Sequence, residues 1–302
     1  MNKTVLIIGY GSIGKKHAKL LKKFKNISKI YILTKQNCGN FNRVKSISEV
    51  NKIDPDYILI CSRTSDHFKH LSYLEKSLKN KIILVEKPVF ENFKNFQVHN
   101  NKVFIGYNLR YHPVINFIKN YVKNKKIFSI NVSCYSYLPN WRKNINYARS
   151  NSAKKKYGGG ALLELSHEID YVQWIFNTIK EIEHVRIKKI SNLKIDTEDC
   201  VLIIGKTNSV NFVIDLNYFS LCEQRLVIIN GNNFTLKGDL INNSVEIFKK
   251  NRKKIMKFKV DKNYTYNEQH KSLLRSDYRN SCSYAQGAKL MLLINKIKNF
   301  RK

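Results

Sequence analysis

The stretch VLIIGYGSIG, residues 5–14, decides the fold of the first third of this 302-residue chain. Its four apolar residues, Val5–Ile8, predict a buried strand, and the pattern of residues 12–24 predicts a helix directly after it. Outward from this stretch, short apolar runs alternate with helical patterns. They predict strands at 29–33, 57–61, 82–85 and 103–106, and helices at 66–78, with Asp66 as N-cap, and at 91–99. Such alternation predicts a parallel sheet covered on both faces.

Three glycines within the stretch, Gly9, Gly11 and Gly14, have the spacing G-x-G-x-x-G. The first permits a tight turn, the second lets the backbone approach a pyrophosphate, and the third lets the helix pack on the strand. The helix that begins with Ser12 and Ile13 offers free N–H groups to the phosphates. The strand and helix around the glycines favour a dinucleotide-binding turn, and a coincidental glycine-rich turn is the alternative.

The end of the second predicted strand, Leu33-Thr34-Lys35-Gln36, lacks an acidic residue, and the first one in the chain is Glu49. Sites for NAD usually place an Asp or Glu here to bind the ribose hydroxyls. Thr34 and Lys35 instead offer a hydroxyl and a cation, which suit the 2′-phosphate of NADP. We therefore expect NADP or NAD with a preference for NADP; the alternative is that Lys35 is one lysine among many.

Beyond Pro113 the pattern changes to an α+β arrangement. A helix is predicted at 114–122, a strand at 127–137 and a long helix at 161–176. After these come predicted strands at 183–188, 200–206, 210–219, 225–230, 233–237 and 245–249, a hairpin turn at Asn230-Gly231, and helices at 267–280 and 284–299. We predict an α/β protein with a dinucleotide-binding domain, residues 1–112, and a second α+β domain on a large, mainly antiparallel sheet, residues 113–302.

The predicted helix 161–176 has two different faces. One is apolar at helical spacing, with Leu162, Leu165, Ile169, Val172 and Phe176. The opposite face carries Glu164, His167, Tyr171 and Trp174, with Asp170 at its edge. A helix lying on a sheet should be solvated on its outer face, so a histidine among aromatics and carboxylates there indicates a functional site. A histidine in a core or an interface is the alternative.

The net charge of +33 raises the question of nucleic-acid binding. Lysines are scattered over every segment, and no zinc finger, RNP motif or helix-turn-helix pattern accompanies them. Abundant lysine, asparagine and isoleucine with only four prolines indicate the codon bias of an A/T-rich genome. We expect no nucleic-acid partner.

Other compositional features narrow the class further. No apolar run has the length of a membrane helix or of a signal peptide's apolar region, so we expect no membrane partner and a cytoplasmic location. The six cysteines lie far apart without a C-x-x-C pair. We therefore expect free thiols and neither a disulfide framework nor a metal site.

Four further segments follow the glycine-rich turn in a fixed order. They are Thr64–His67, Glu86–Pro88, Gly106–Pro113, and the run from Gly158-Gly159-Gly160 through His167 to Asp170. Their order and spacing resemble the Gfo/Idh/MocA oxidoreductases over nearly the whole chain. Residues 137–142, YLPNWR, look like a branch of that family found with sugar-nucleotide and surface-glycan biosynthesis.

The resemblance implies a Rossmann domain, an open-faced mixed sheet, and hydride transfer between a nicotinamide ring and a sugar or cyclitol carbon. Lys87 matches the catalytic lysine of the family, Pro88 a proline often preceded by a cis bond, and His167 the catalytic histidine, with Asp170 the carboxylate three residues later. The cofactor-binding positions it implies outside the glycine-rich turn are Ser62, Thr64, His67, Glu86 and Lys87. The substrate-binding positions are Arg110, His112, Trp141, Arg142, Tyr147, Tyr157 and His167.

The sequence departs from the family pattern at two points. Many members have an Asp four residues before the histidine, whereas Leu163 stands there and Glu164 follows it, which leaves the proton-relay partner of His167 open between Glu164 and Asp170. Arg63 stands where proline is more usual. In the loop 137–157, aromatic side chains suit a sugar face and arginines suit a phosphate or carboxylate, although a plain surface loop explains them equally well.

We predict an NAD(P)-dependent oxidoreductase acting on a hydroxyl or keto carbon of a sugar, sugar nucleotide or cyclitol. The alternatives are an NAD-dependent sugar hydrolase or epimerase without net redox change, and a non-catalytic cofactor-binding protein; the presence of both Lys87 and His167 argues against the latter. Apolar residues on both faces of the second sheet predict a homodimer or homotetramer.

Overall fold

A computed structural model of the chain describes residues 2–143 and 145–300. Residue 144, inside the predicted substrate loop 137–157, lies outside the described residues. The chain forms two compact units, residues 1–108 with 266–291, and residues 109–265 with 292–302. The first division lies close to the predicted boundary after His112. The return of residues 266–291 to the first unit was not predicted from the sequence.

The first unit is built on a seven-stranded sheet in the order β15-β6-β5-β4-β1-β2-β3. All neighbours pair in parallel except β15, which is antiparallel to β6. Its elements are β1 (Lys3–Ile8), α1 (Ser12–Leu21), β2 (Ile27–Leu33), β3 (Asn42–Val44), α2 (Val50–Ile53), β4 (Tyr57–Ile60), α3 (Thr64–Ser77), β5 (Ile82–Val85), β6 (Lys102–Ile105), α7 (Tyr264–Leu274), β15 (Cys282–Ser283) and α8 (Tyr284–Lys298), the last three through their residues 266–291. The predicted Rossmann-type alternation is confirmed.

The central strands are apolar throughout because both of their faces are covered. Every residue of β4 is inaccessible to solvent, and so are Val5, Leu6 and Ile7 of β1. Strand β1 lies between β2 and β4, so Gly9, which follows it, stands at the carboxyl edge in the middle of the sheet. Binding sites of parallel α/β sheets form at this edge.

Two local predictions in the first unit were wrong. Helix α3 begins at Thr64 with Arg63 at the N-cap position, so Asp66 lies inside its first turn. Residues 91–99 are not helical. The Glu75 carboxylate accepts the backbone N–H groups of His99 and Asn100, which removes them from an intrahelical pattern. The Phe96 carbonyl accepts the Tyr284 hydroxyl at 2.9 Å, so this segment is held by side chains from elsewhere in the unit.

The second unit is built on an eight-stranded sheet in the order β14-β13-β12-β11-β7-β10-β9-β8. Strands β7 and β10 pair in parallel and all other neighbours are antiparallel, which confirms the mainly antiparallel prediction. Its elements are α4 (Pro113–Val122), β7 (Ile127–Tyr137), α5 (Ala161–Glu164), α6 (His167–Phe176), β8 (Glu181–Lys188), β9 (Cys200–Lys206), β10 (Asn211–Asn217), β11 (Phe219–Gly231), β12 (Phe234–Asp239), β13 (Ser244–Lys249) and β14 (Arg252–Lys257).

Helices α4, α5 and α6 pack on this sheet. Helix α4 packs closely on β12 at Gly238. A Cβ at this position would stand 2.8 Å from Ile118 and 3.0 Å from Val114. The hairpin predicted at Asn230-Gly231 is present, but Gly231 pairs with Phe234. The turn residues are therefore Asn232 and Asn233, of which Asn233 has φ +62°.

The long helix predicted at 161–176 is broken into α5 and α6. Gly160, with φ +112°, precedes α5, and a Cβ there would overlap the Glu198 carboxylate. That carboxylate accepts the Leu162 N–H at 3.1 Å and so caps the short helix. At the break, the Ser166 hydroxyl donates to the Leu163 carbonyl at 2.8 Å. His167 consequently stands at the first position of a new helix instead of in the middle of a long one.

No helix within residues 2–143 and 145–300 is long and apolar enough to cross a membrane.

Candidate active site

The glycine-rich turn has the geometry that its spacing predicts. Gly9 has φ +98°, and a Cβ there would lie 2.7 Å from the Cys61 carbonyl oxygen and from the Ser62 nitrogen. A Cβ on Gly14 would overlap the Gly9 carbonyl oxygen, so α1 can approach the turn only without a side chain at this position. The space beside Gly11 is open to 4 Å. Two of the glycines therefore serve the packing of the turn, and the third leaves room for a ligand.

Helix α1 is prepared to receive an anion. Its N-cap is Gly11, no side chain caps it, and its first turn, which includes Ser12 and Ile13, has no acidic residue. The N–H groups at a helix start and the helix dipole attract phosphate. Together with the space beside Gly11, this helix start fits the pyrophosphate of a dinucleotide.

The end of β2 offers polar groups without a carboxylate. The Thr34 backbone N–H donates to the Val44 carbonyl of β3 at 3.3 Å. The Thr34 hydroxyl accepts the Gln36 N–H at 3.0 Å, which holds the turn after the strand. Lys35 is exposed. The predicted 2′-phosphate site therefore consists of an ordered turn with one free-standing cation beside it.

The segment Glu86-Lys87-Pro88 follows β5 at the same edge of the sheet. The Glu86 N–H donates to the Ile60 carbonyl at 2.9 Å, which extends the pairing of β4 and β5 by one residue. The Lys87–Pro88 peptide is cis, as the resemblance implied. Lys87 is half-buried, whereas Glu86 is only 8% exposed. A lysine and a buried carboxylate therefore stand at the same sheet edge as the glycine-rich turn.

His67 joins two of the loops at this edge. Its Nδ1 atom lies 3.1 Å from the Pro88 carbonyl oxygen and its Nε2 atom 3.2 Å from that of Ser62. Burial lowers the pKa of His67 below its ordinary value. The Ser62 hydroxyl lies 2.9 Å from the Nδ1 atom of His70. His67 thus lies between the loops after β4 and β5, and in its neutral form it donates to one of the two carbonyls. Thr64 begins α3 beside it.

A buried chain of hydrogen bonds leads from Glu86 into the core of the first unit. Glu86 Oε1 lies 2.9 Å from His17 Nε2, and His17 Nδ1 lies 2.8 Å from His270 Nε2. The Nδ1 atom of His270 lies 2.9 Å from the Tyr57 hydroxyl. The sequence does not predict this chain. Its one sign there is the position of His17 three residues after Gly14, on the inner face of α1.

In the second unit, α6 is held by two arginines on either side of its first turn. Arg110 donates two hydrogen bonds to Asp170, at 2.7 and 2.9 Å, and both side chains are buried. Arg225 donates to the fully buried Glu168 at 2.7 and 3.1 Å. These paired bonds fix the orientation of the helix, and with it the half-buried His167 at its start.

Several predicted residues of the second unit have partners inside that unit. Arg110, a predicted substrate group, and Asp170, a predicted catalytic group, form a buried ion pair with each other. The ring of His112 caps α4 through Nδ1, and its Nε2 lies 3.1 Å from Asn243 Oδ1. Burial lowers the pKa of His112 to about 4. Glu164 accepts the Ser152 hydroxyl at 2.8 Å.

The loop between β7 and α5 brings together most of its predicted substrate residues. Trp141 meets Tyr218 edge to face at 5.0 Å, and the Tyr147 hydroxyl accepts the Lys194 N–H at 3.1 Å. A shallow cavity here is lined by Leu138, Trp141, Arg142, Ile145, Tyr147, Ser150 and Ser152. Tyr157, half-buried, precedes the triple glycine and does not line this cavity.

Two family models match the chain. The NAD-binding Rossmann-fold part of an oxidoreductase family matches residues 3–102, and the C-terminal α/β domain of the same family matches residues 119–298. The chain belongs to the Gfo/Idh/MocA oxidoreductase family. The matched Rossmann part is described as NAD-binding, and residues 3–102 include the glycine-rich turn.

Solved structures share the Gfo/Idh/MocA fold over nearly the whole chain. The WlbA dehydrogenase from Bordetella pertussis, in complex with NADH and UDP-GlcNAcA, has a TM-score of 0.77 at 14% identity, covering 99% of this chain and 96% of its own. UDP-N-acetylglucosamine 3-dehydrogenase GnnA from Acidithiobacillus ferrooxidans has 0.78 at 13% identity, covering 99% and 97%. Levoglucosan dehydrogenase in complex with NADH has 0.82 at 14% identity, covering 99% and 96%. No curated protein matches the sequence.

Among the residues that the structure describes, no group of three or more His, Cys, Asp or Glu side chains is arranged to hold a metal ion.

Proposed function

We propose that this protein transfers a hydride between a nicotinamide cofactor and a hydroxyl or keto carbon of a sugar nucleotide. The observation that carries the proposal is the position of Lys87 directly after a buried strand, at the sheet edge that holds the glycine-rich turn. The family match over both domains supports it. So do the structural neighbours, since WlbA was solved with a UDP-sugar and GnnA is named for its action on one.

The bound cofactor supplies the hydride acceptor or donor. The chain must then hold the sugar carbon near the cofactor and move one proton to or from the sugar oxygen. We assign the proton transfer to Lys87 and His167, both half-buried and each at an element end. A lysine amine and an imidazole are each able to exchange a proton with an oxygen or to hold it by a hydrogen bond.

Binding of the sugar nucleotide is assigned to the loop between β7 and α5. The half-buried faces of Trp141 and Tyr147 provide apolar surface for a sugar ring, and Arg142 provides a cation for a diphosphate. Because Arg110 and Asp170 pair with each other, we assign both to positioning α6 instead of to substrate contact. We assign Glu164 as the proton-relay partner of His167.

The experiment is turnover of the purified protein with NAD⁺ and NADP⁺ against UDP-sugars, followed at 340 nm. We expect reduced cofactor to accumulate with a UDP-linked sugar and not with the free sugar. Binding of cofactor without reduction by any sugar nucleotide contradicts the proposal. Conversion of the sugar with sub-stoichiometric cofactor would instead identify a hydrolase or epimerase without net redox change.

A further inference from the structure

The buried chain Tyr57–His270–His17–Glu86 joins four separate elements of the first unit. Tyr57 begins β4, His17 lies on α1, His270 on α7, and Glu86 follows β5. Tyr57, His17 and His270 are completely inaccessible to solvent. Polar groups buried this deeply destabilise a protein unless each is hydrogen-bonded, so their three consecutive bonds of 2.8 to 2.9 Å form a demanding arrangement.

The chemistry of the four groups fixes the bond nearest Glu86. A carboxylate oxygen only accepts, so the Nε2 atom of His17 donates to Glu86. Burial, and next the neighbouring His17, lowers the pKa of His270 well below its ordinary value. A neutral His270 ring has one donor nitrogen and one acceptor nitrogen, so it continues the chain in one direction between His17 and Tyr57.

The surroundings of Glu86 leave its carboxylate little freedom to move. A Cβ on Gly106 would stand 2.9 Å from Glu86 Oε1, so the carboxylate lies directly against that backbone. Cys61 and His67 are two further titratable groups that interact electrostatically with Glu86. Burial raises the pKa of the Cys61 thiol and lowers that of His67, so neither supplies a charge that competes with His17 for the carboxylate.

We propose that Tyr57, His270 and His17 are positioning residues that hold Glu86, and through the Glu86–Lys87 peptide the catalytic Lys87, in place for proton transfer. This inference rests on the proposed function. The inference also explains why α7, which lies near the end of the chain, packs in the first unit: it brings His270 to His17. Displacement of a catalytic group by about 1 Å costs as much as 10²-fold in rate, so a chain of fixed length is an effective support.

The test uses variants of His17 that differ only in the donor to Glu86. His17→Gln retains an N–H near the position of Nε2, whereas His17→Leu removes it at similar volume. We expect His17→Leu to lower kcat by 10- to 100-fold and to shift the pH profile of kcat, with the KM for the sugar nucleotide and the affinity for NADH little changed. His17→Gln should recover most of kcat. Equal loss in both variants, or a folded His17→Leu with wild-type kcat, overturns the inference.

Milder variants cover the case in which His17→Leu does not fold. Tyr57→Phe and His270→Gln should each lower kcat by a few-fold without loss of NADH binding, whereas Tyr31→Phe, on the neighbouring strand β2, should leave kcat unchanged. A loss of NADH binding in Tyr57→Phe would show that the chain supports the fold instead of Lys87, and would overturn the inference.

NMR of the imidazole protons separates this inference from the proposed function. A hydrogen-bonded Nε2–H proton of His17 is expected far downfield in the wild type and should be lost in His17→Gln. A His17 ring without a proton on Nε2 overturns the chain whatever the enzyme turns over. An enzyme that shows this signal but oxidises no sugar nucleotide overturns the proposed function alone.

Discussion

Lys87 and His167 are single residues on which the proposed chemistry depends. Lys87→Ala and His167→Ala should each reduce kcat by about 10²-fold or more, because each removes a group that moves or holds the proton. The affinity for NADH, measured by fluorescence titration, should change by no more than a few-fold, since the glycine-rich turn is untouched. Lys79→Ala, at an exposed lysine before β5, is the matched control. Full turnover of His167→Ala on a sugar nucleotide would remove His167 from the mechanism.

We predict that Lys35, also a single residue, sets the cofactor preference. The turn after β2 has no carboxylate to bind the ribose hydroxyls or to repel a 2′-phosphate. Lys35→Asp should therefore lower the affinity for NADPH by about tenfold or more and raise that for NADH. Lys29→Asp changes an equally exposed lysine at the start of the same strand and should alter neither the affinity for NADPH nor that for NADH. Wild-type protein that binds NADH as tightly as NADPH would contradict the preference.

At the scale of the element, the turn between β1 and α1 separates folding from binding. A methyl group on Gly14 would overlap the Gly9 carbonyl, so Gly14→Ala should lower the free energy of unfolding by about 1–3 kcal/mol. Gly11 has φ −73° and open space beside it, so Gly11→Ala should leave the unfolding free energy within about 1 kcal/mol of wild type. It should nevertheless weaken NADH binding at least tenfold. Denaturant unfolding and fluorescence titration measure the two effects.

Helix α4 makes the second unit sensitive to acid through its N-cap. Burial, countered only in part by the bond to Asn243, lowers the pKa of His112 from about 6.5 to about 4. Between these values the unfolded chain binds a proton that the folded chain does not, so the unfolding free energy falls as the pH drops from about 6.5 to 4, by at most about 3 kcal/mol. His112→Asn keeps a capping acceptor and does not titrate. Its pH dependence should be shallower; identical curves would contradict this assignment.

The elements themselves were predictable where local sequence decides them. The run Val5–Ile8 and the glycines after it produce the strand and turn that their pattern predicts. The segment predicted as a helix at 91–99 is instead held by groups distant in sequence, with Glu75 accepting the His99 N–H and Tyr284 donating to the Phe96 carbonyl. The break before His167 was not predicted, because the apolar spacing of residues 161–176 does not indicate that the Ser166 hydroxyl donates to the Leu163 carbonyl there.

The residues of the candidate site were likewise predictable only where a local motif contains them. Lys87, Glu86 and His167 stand in short motifs and could be found from the sequence. The partners of Glu86, in contrast, lie 69 residues away at His17 and, one bond further, at His270. No local pattern links them, because only the return of residues 266–291 to the first unit brings His270 to His17.

At the scale of the whole molecule, the eight-stranded sheet predicts association between copies of the chain. Helices α4, α5 and α6 pack against one of its faces. The other face carries half-buried apolar side chains on the central and outer strands, among polar pairs such as Tyr135 with Asp215: Leu202, Ile204, Val213, Leu226 and Ile228. A second copy of the same sheet would cover this surface with two-fold symmetry.

Light scattering should therefore give a mass of at least twice 35.5 kDa at micromolar concentration. The double variant Ile204→Glu/Leu226→Glu places charges at the centre of the proposed interface, where they would lose their hydration on association, and should yield monomers. Ile190→Glu changes an exposed isoleucine in the loop after β8 and should leave the mass unchanged. A wild-type protein that is monomeric would contradict the interface. Since α6 packs on the opposite face of the same sheet, monomers that keep full turnover would further show that the active site does not depend on association.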